Sequence, residues 1–252
     1  MVLTLEEKRC RTVNPLPSSI ITADLTLSVP YIEITRKVVM AVKYLKTPYL
    51  IEIGGTGSLS IPGTKFDTAI DSEDFWIAYF QHAADSKAYI SYAETRFPKF
   101  ATLLHRYRDI RQTPSQDITQ EDLDFLAEMR SFAKSRVKES YFIMACRTSL
   151  LFFEGNVDFE WTFLSPSPGF KPGPKTGKYV IGEEAVLPVE GDLNPPWEGR
   201  LLGITVKDLA VVIVDECESR KMKGKHWTVW TPKENAVDEP IPNIYGSLNE
   251  IE

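Results

Sequence analysis

Residues 48–63, Pro-Tyr-Leu-Ile-Glu-Ile-Gly-Gly-Thr-Gly-Ser-Leu-Ser-Ile-Pro-Gly, limit the choice of fold more than any other stretch. Tyr49 to Ile53 is short, apolar and β-branched, and Pro48 and the pair Gly54–Gly55 bound it, which predicts a buried strand. Tyr31 to Leu45, just before it, has helical spacing, and a second apolar strand, Asp158 to Leu164, comes much later. Strand, helix and strand in alternation predict a parallel sheet with helices on its faces. Ligands of such sheets sit beyond the carboxyl ends of the strands, where Gly54 to Ser58 must lie. That loop reads either as a phosphate-cradling glycine loop, as the substrate-side loop of a dinucleotide-binding fold, or as a plain tight turn.

Spacing removes the first of these. A dinucleotide fingerprint needs G-x-G-x-x-G opening a helix, so that backbone N–H groups and the helix end meet a pyrophosphate. Gly55 and Gly57 fit, but Ser60 stands at the third position and Ile61-Pro62-Gly63 cannot begin a helix. No Gly-Lys-Ser/Thr follows, so a Walker loop is excluded too.

A chain of 252 residues, 43% apolar and 25% charged, can bury one sizeable core, and one domain is expected. A net charge of −6 argues against nucleic acid or an anionic membrane as partner, and no run reaches the length of a membrane span. Cys10, Cys146 and Cys217 are few and far apart, which reads as reduced thiols in a cytoplasmic protein. His82, His105 and His226 are equally scattered, and no metal is expected.

In chain order, residues 1–18 read as an arm and Ser19 to Leu25 as a first short strand. Pro30 can begin the next helix, whose apolar face is Ile34, Val38, Val39, Val42 and Leu45. Ser72 can cap a helix from Glu73 that carries Phe75, Trp76, Tyr79 and Phe80. Residues 85–118 are less regular and mix aromatics with Arg106, Arg108 and Arg111; they read as a solvated insertion packed on its own aromatics, or as a lid or oligomer contact. Thr119 and Asp122 open a long helix to about Phe153, with a break near Ser140 and an end at Gly155. Lys178 to Ile181 and Ala185 to Val189 suggest a hairpin across Gly182. Thr205 and Asp208 open the last helix, His226 to Trp230 alternates as the last strand, and the acidic, proline-bearing tail from Pro232 to 252 is expected on the surface.

Four pieces carry a family resemblance. They are Ile51-Glu-Ile-Gly-Gly-Thr-Gly-Ser-Leu59, Glu160-Trp-Thr-Phe-Leu-Ser-Pro166, Pro172-Gly-Pro-Lys-Thr-Gly-Lys-Tyr179, and Ile204-Thr-Val-Lys-Asp-Leu-Ala-Val-Val-Ile-Val-Asp215. In this order they resemble the atypical short-chain dehydrogenases of the NADH–flavin-reductase-like, NAD(P)-binding group, of the biliverdin reductase B type. The resemblance covers residues 19–231 apart from an insertion at 85–135, and similar oxidoreductases occur in fungal polyketide and mycotoxin clusters. It implies a Rossmann-like three-layer parallel α/β sheet in one domain, with a helical insertion. It implies NADP or NAD as cofactor and an aromatic or quinone-type small molecule as substrate.

Two departures stand beside the matches. The family opens with a strand and a G-x-x-G-x-x-G phosphate loop, absent here, so the fold is expected to be truncated at its amino-terminal side. No Tyr-x-x-x-Lys pair exists, so no lysine lowers the pKa of a catalytic tyrosine. Three explanations stay open: a shortened reductase, a cofactor-independent isomerase, cyclase or lyase on the same scaffold, and a non-catalytic partner.

By the resemblance, Gly54, Gly55, Thr56 and Gly57 lie beside the nicotinamide, and Ser165, Pro166 and Ser167 line the cofactor's reactive end. Ser58 can hydrogen-bond a substrate oxygen, and the Thr56 and Gly57 N–H groups can hold an oxyanion. Tyr141 is the phenolic acid nearest the family's helix position. Trp76, Phe163 and Phe170 are the substrate-binding aromatics. A sheet edge left bare by truncation would need the arm or a second subunit to cover it, so a homodimer is expected.

Overall fold

The computed structural model describes residues 2–6, 9–13, 25–64 and 67–240. Three parallel strands form its centre: β3 (Leu50–Ile53), β4 (Trp161–Pro166) and β8 (His226–Trp230). They lie in a six-stranded sheet of order β2-β1-β3-β4-β8-β6. Strands β1 (Val2–Glu6) and β2 (Arg9–Val13) form an antiparallel hairpin, and β1 pairs antiparallel with β3. The arm thus covers the edge of β3, the first of the two covers expected for it. The expected strand at 19–25 lies outside the described residues except Leu25, which begins a helix.

Alternation along the strands separates two layers of helix. Tyr49, Ile51, Leu164, Trp227 and Val229 face α7 (Val206–Ser219), which contributes Leu209, Val212 and Ile213. Leu50, Trp161 and Phe163 point the other way, onto Val39 and Val42 of α1 (Leu25–Leu45) and onto Leu150 and Phe153, just after α6 (Tyr141–Ser149). One residue of register shift would exchange the two faces, so these apolar sets fix the pairing. The result is the three-layer, Rossmann-like α/β architecture that the sequence implied, parallel at its centre and antiparallel at both edges.

Helix α1 starts at Leu25, so Pro30 lies inside it and not at its first position. Its buried stripe is Tyr31, Thr35, Val39 and Val42, spaced by three or four, while Ile34 and Leu45 of the expected face are exposed.

Residues 85–118 are more regular than their composition suggested. Helices α2 (Glu73–Asp85), α3 (Lys87–Arg96), α4 (Pro98–Gln112) and α5 (Gln120–Glu139) make a helical lobe, and Ser140 separates α5 from α6 as expected. Ser72 caps α2, and Thr119 with Asp122 forms a full capping box on α5. The lobe does not pack only on itself. Phe75, Phe80, Leu104 and Phe125 share a core with Leu59 and Ile70 on one side and Leu187, Trp197 and Leu201 on the other.

The expected hairpin at 178–189 does not form. Strand β6 (Val180–Gly182) pairs antiparallel with β8, with Trp230 over Gly182 so closely that a Cβ there would lie 2.6 Å from its ring. Val186 and Val189 instead bridge to Ser60 and Leu201. A short parallel pair, β5 (Gly169–Lys171) with β7 (Gly203–Thr205), leaves the sheet at the end of β4 and leads into α7. Asp208, fully buried on α7, accepts from Thr176 N at 2.8 Å, Thr176 Oγ1 at 2.6 Å and Gly177 N at 2.9 Å. That carboxylate joins the third and fourth pieces of the family pattern into one unit.

Candidate functional site

The chain leaves β3 at Ile53 and makes a single 3-10 turn, Thr56–Ser58, before an extended Leu59. Three contacts press this turn against the end of β4. Gly54 N donates to Leu164 O at 2.9 Å, Thr56 Oγ1 to Pro166 O at 2.8 Å, and Ser58 Oγ lies 2.7 Å from Ser165 Oγ. Residues 54–58 and 165–167 therefore meet at the carboxyl ends of adjacent parallel strands, where such folds bind ligands.

The glycines have separable reasons. A Cβ on Gly54 would sit 2.1 Å from the Phe163 ring, and one on Gly57 would sit 2.6 Å from Ile143 of α6. Both are required by packing. A Cβ on Gly55 would meet nothing within 4 Å, so only there does the loop have open space beside it. The Thr56 and Gly57 N–H groups open the turn, the position where amides have no partner within it.

Ser58 and Ser165 form a short polar chain with His226, the first residue of β8. Ser165 Oγ is 2.9 Å from His226 Nε2, and Ser58 Oγ also contacts Gly55 O at 2.8 Å. With a proton on Nε2 every bond has its own donor: His226 to Ser165, Ser165 to Ser58, Ser58 to Gly55 O. Burial pushes the His226 pKa down to about 4, so the ring is neutral near pH 7. With so low a pKa the neutral ring is a weak base and has no imidazolium proton to give, and the chain acts as a fixed polar strut that sets the loop. Ser167, next along the chain, is fully buried and its hydroxyl has no hydrogen-bond partner.

The other expected residues are distributed differently. Tyr141 begins α6 and is 38% exposed. Ile143 is the residue of that helix against Gly57, and two positions on a helix turn a side chain by about 200°, so Tyr141 faces away from the loop. Trp76 is buried in the lobe core, with its indole N–H on Ile70 O at 3.0 Å. Phe163 is fully buried beneath Gly54, its ring edge-on to His226 at 5.2 Å between centroids. Phe170, on β5, is 41% exposed.

Sequence reasoning set His226 aside as a scattered histidine, and only strand pairing brings it to Ser165. It also missed a cavity of about 320 Å³ beyond β5, lined by His82, Lys171, Thr231 and Asp238 among others. Among the described residues, no helix is long and apolar enough to cross a membrane.

No family model and no curated protein matches the chain. Among solved structures it is similar to a provisionally named exported protein of Burkholderia pseudomallei, at 17% identity and TM-score 0.47, over 81% of this chain and 65% of that one. A provisionally named epimerase of Bacteroides thetaiotaomicron matches at 18% identity and TM-score 0.46, over 80% of this chain and 62% of that one. A provisionally named NADH–flavin reductase of Streptococcus pneumoniae matches at 18% identity and TM-score 0.44, over 81% and 66%. The chain thus spans less than two thirds of the length of these three structures. At such TM-scores its reading rests on its own strand order and side-chain geometry. Those define a Rossmann-like α/β protein with a glycine turn docked at the ends of two parallel strands.

Proposed function

We propose that the chain is a small-molecule enzyme of the NAD(P)H-dependent oxidoreductase kind, with its reactive centre between residues 54–58 and 165–167. The observation that carries this reading is the docking of the glycine turn on the end of β4, with open space at Gly55 and the buried Ser167 hydroxyl left without a partner. Such an orphaned hydroxyl is costly unless a ligand or a buried water satisfies it, and it suits the carboxamide of a nicotinamide.

The fit differs at the two ends of the cofactor. Gly54, Gly55, Thr56, Gly57, Ser165, Pro166 and Ser167 suit the nicotinamide end. No group suits the pyrophosphate: among the described residues no glycine-rich turn leads from a strand into a helix. The chain's own contribution is to hold Ser58 Oγ, tied by Ser165 and His226, where it can turn from Gly55 O to a substrate oxygen. The Thr56 and Gly57 amides would meet negative charge developing on that oxygen.

The aromatic or quinone-type substrate, and a place in fungal polyketide chemistry, belong to this proposal through the family resemblance; Phe170 is the one expected aromatic with exposed surface. A cytoplasmic setting and a homodimer are part of it too, with the dimer contact elsewhere than the β3 edge that β1 already pairs with.

The alternative is a cofactor-independent isomerase, cyclase or lyase. The absence of a pyrophosphate site among the described residues favours it, whereas it lacks an acid at the loop, since Tyr141 faces away and His226 is neutral. Titration with NADPH, NADH and reduced nicotinamide mononucleotide, followed by tryptophan fluorescence, separates the two. The oxidoreductase reading expects the mononucleotide to bind and Ser167→Ala to weaken it; no binding of any of the three would overturn it.

A further inference from the structure

The cavity beyond β5 holds a carboxylate site that is complete without any ligand, because the chain supplies its own carboxylate. Asp238 accepts from Lys171 Nζ at 2.8 Å, Ser86 Oγ at 2.6 Å, Lys87 N at 2.8 Å and Ala88 N at 3.3 Å. The donors belong to the framework: Lys171 is the last residue of β5, and Ser86 with the two amides forms the amino end of α3. The acceptor belongs to the segment that follows β8. Burial also separates them, for the Lys171 side chain is 10% exposed and that of Asp238 33%. Burial alone would raise the Asp238 pKa, yet these donors hold it down at about 2.

A buried ammonium left without an anion is unfavourable, so the position by Lys171 favours a negative group. Nothing requires that it be Asp238. Behind it the cavity continues for about 320 Å³, near the lower end of the range of small-ligand pockets. Leu201, Ile204 and Val237 give it apolar walls. Two of the polar residues that line it are Thr231 and His82. Thr231 is 4% exposed and its hydroxyl has no partner, and burial brings the His82 pKa down to about 4 and keeps that ring neutral. Gly169 leaves room for His82, since a Cβ there would lie 2.5 Å from Nε2.

We propose that this cavity binds a small organic acid, whose carboxylate takes the position that Asp238 holds against Lys171 and the amino end of α3. Its apolar body lies against Leu201, Ile204 and Val237, and the Thr231 hydroxyl meets a second polar atom. Asp238 acts as the internal competitor and closes the cavity when no acid is bound. The proposal is independent of any nucleotide at the loop between β3 and β4.

The test uses benzoate, with neutral benzamide as control, in calorimetric titrations of the full 252-residue chain. Asp238→Ala removes the competitor and should bind benzoate about tenfold or more tighter than the parent, the usual scale for a hydrogen-bonded charge pair. Benzamide should gain nothing, and adding Lys171→Met should abolish the gain. Should Asp238→Ala fail to fold, Asp238→Asn, which keeps the shape and loses the charge, is read by the same criteria. Equal benzoate affinity in parent and variant, an equal gain for benzamide, or a gain that survives Lys171→Met would each overturn the proposal and leave Asp238 as a structural latch.

Discussion

Glu52 occupies a place in the sheet that an acid rarely tolerates, between Ile51 and Ile53 on β3 and 2% exposed. One carboxylate oxygen accepts from Tyr31 Oη at 3.4 Å, a long bond, and the other has no partner. Burial dominates and raises its pKa from 4.5 to about 7. The folded state then keeps a proton that the unfolded chain has lost, so this group's contribution is fully present below pH 4.5 and disappears as pH rises through about 7. At about 1.4 kcal/mol per pH unit, the loss across that window is about 3 kcal/mol. Glu52→Gln has nearly the same shape and never ionises. It should match the parent near pH 5 and exceed it by up to about 3 kcal/mol near pH 8, measured by urea unfolding with unchanged m-values. Other titrating groups are common to both proteins and cancel in the difference. A stability difference that does not change with pH, or a variant that is weaker near pH 8, would refute the reasoning.

Four further outcomes follow from particular contacts. Ser165→Ala removes the bridging hydroxyl and leaves Ser58 and His226 only their own longer contact of 3.4 Å, and should cost about 1–3 kcal/mol in thermal or urea unfolding. Gly54→Ala drives a methyl into the Phe163 ring and should cost about 1–3 kcal/mol, whereas Gly55→Ala, with open space around it, should cost less than about 1 kcal/mol. Asp208→Ala frees the amides of Thr176 and Gly177 and should expose residues 172–179 to limited proteolysis before the rest of the chain. His82 and His226 have folded pKa values lowered from 6.5 to about 4, so the unfolded chain binds more protons in that window and stability should fall as pH drops through it. His82→Gln should make that decline shallower in urea unfolding.

What the sequence made legible is what local rules encode. β3, β4 and β8 stood out as short apolar runs with turn residues at their ends, and α2, α5 and α7 carried side-chain caps on Ser72, Thr119 and Thr205. The start of α1 escaped because Pro30 reads as a first helical residue, whereas the helix is already under way from Leu25. The pairing of β6 escaped because its partner, β8, comes after the whole of α7. Trp76 was legible as apolar, but nothing local tells a core tryptophan from a pocket one.

The loop at 54–58 is the most instructive case, because its place was readable and its glycines were misleading. Gly55 and Gly57 match two positions of a phosphate-binding pattern, yet Gly57, like Gly54, is demanded by a neighbour distant in sequence, Ile143 for the one and Phe163 for the other. Only Gly55 is left for a ligand to approach. The same separation hides both polar clusters, since Ser58 meets a histidine 168 residues away and Lys171 an aspartate 67 residues away. No window of sequence contains either pair, and the topology alone creates them: β8 must lie beside β4, and the segment after β8 must turn back over β5. Both proposals therefore rest on polar atoms that distant segments leave buried and unpaired, Ser167 Oγ for the glycine turn and Thr231 Oγ1 for the cavity.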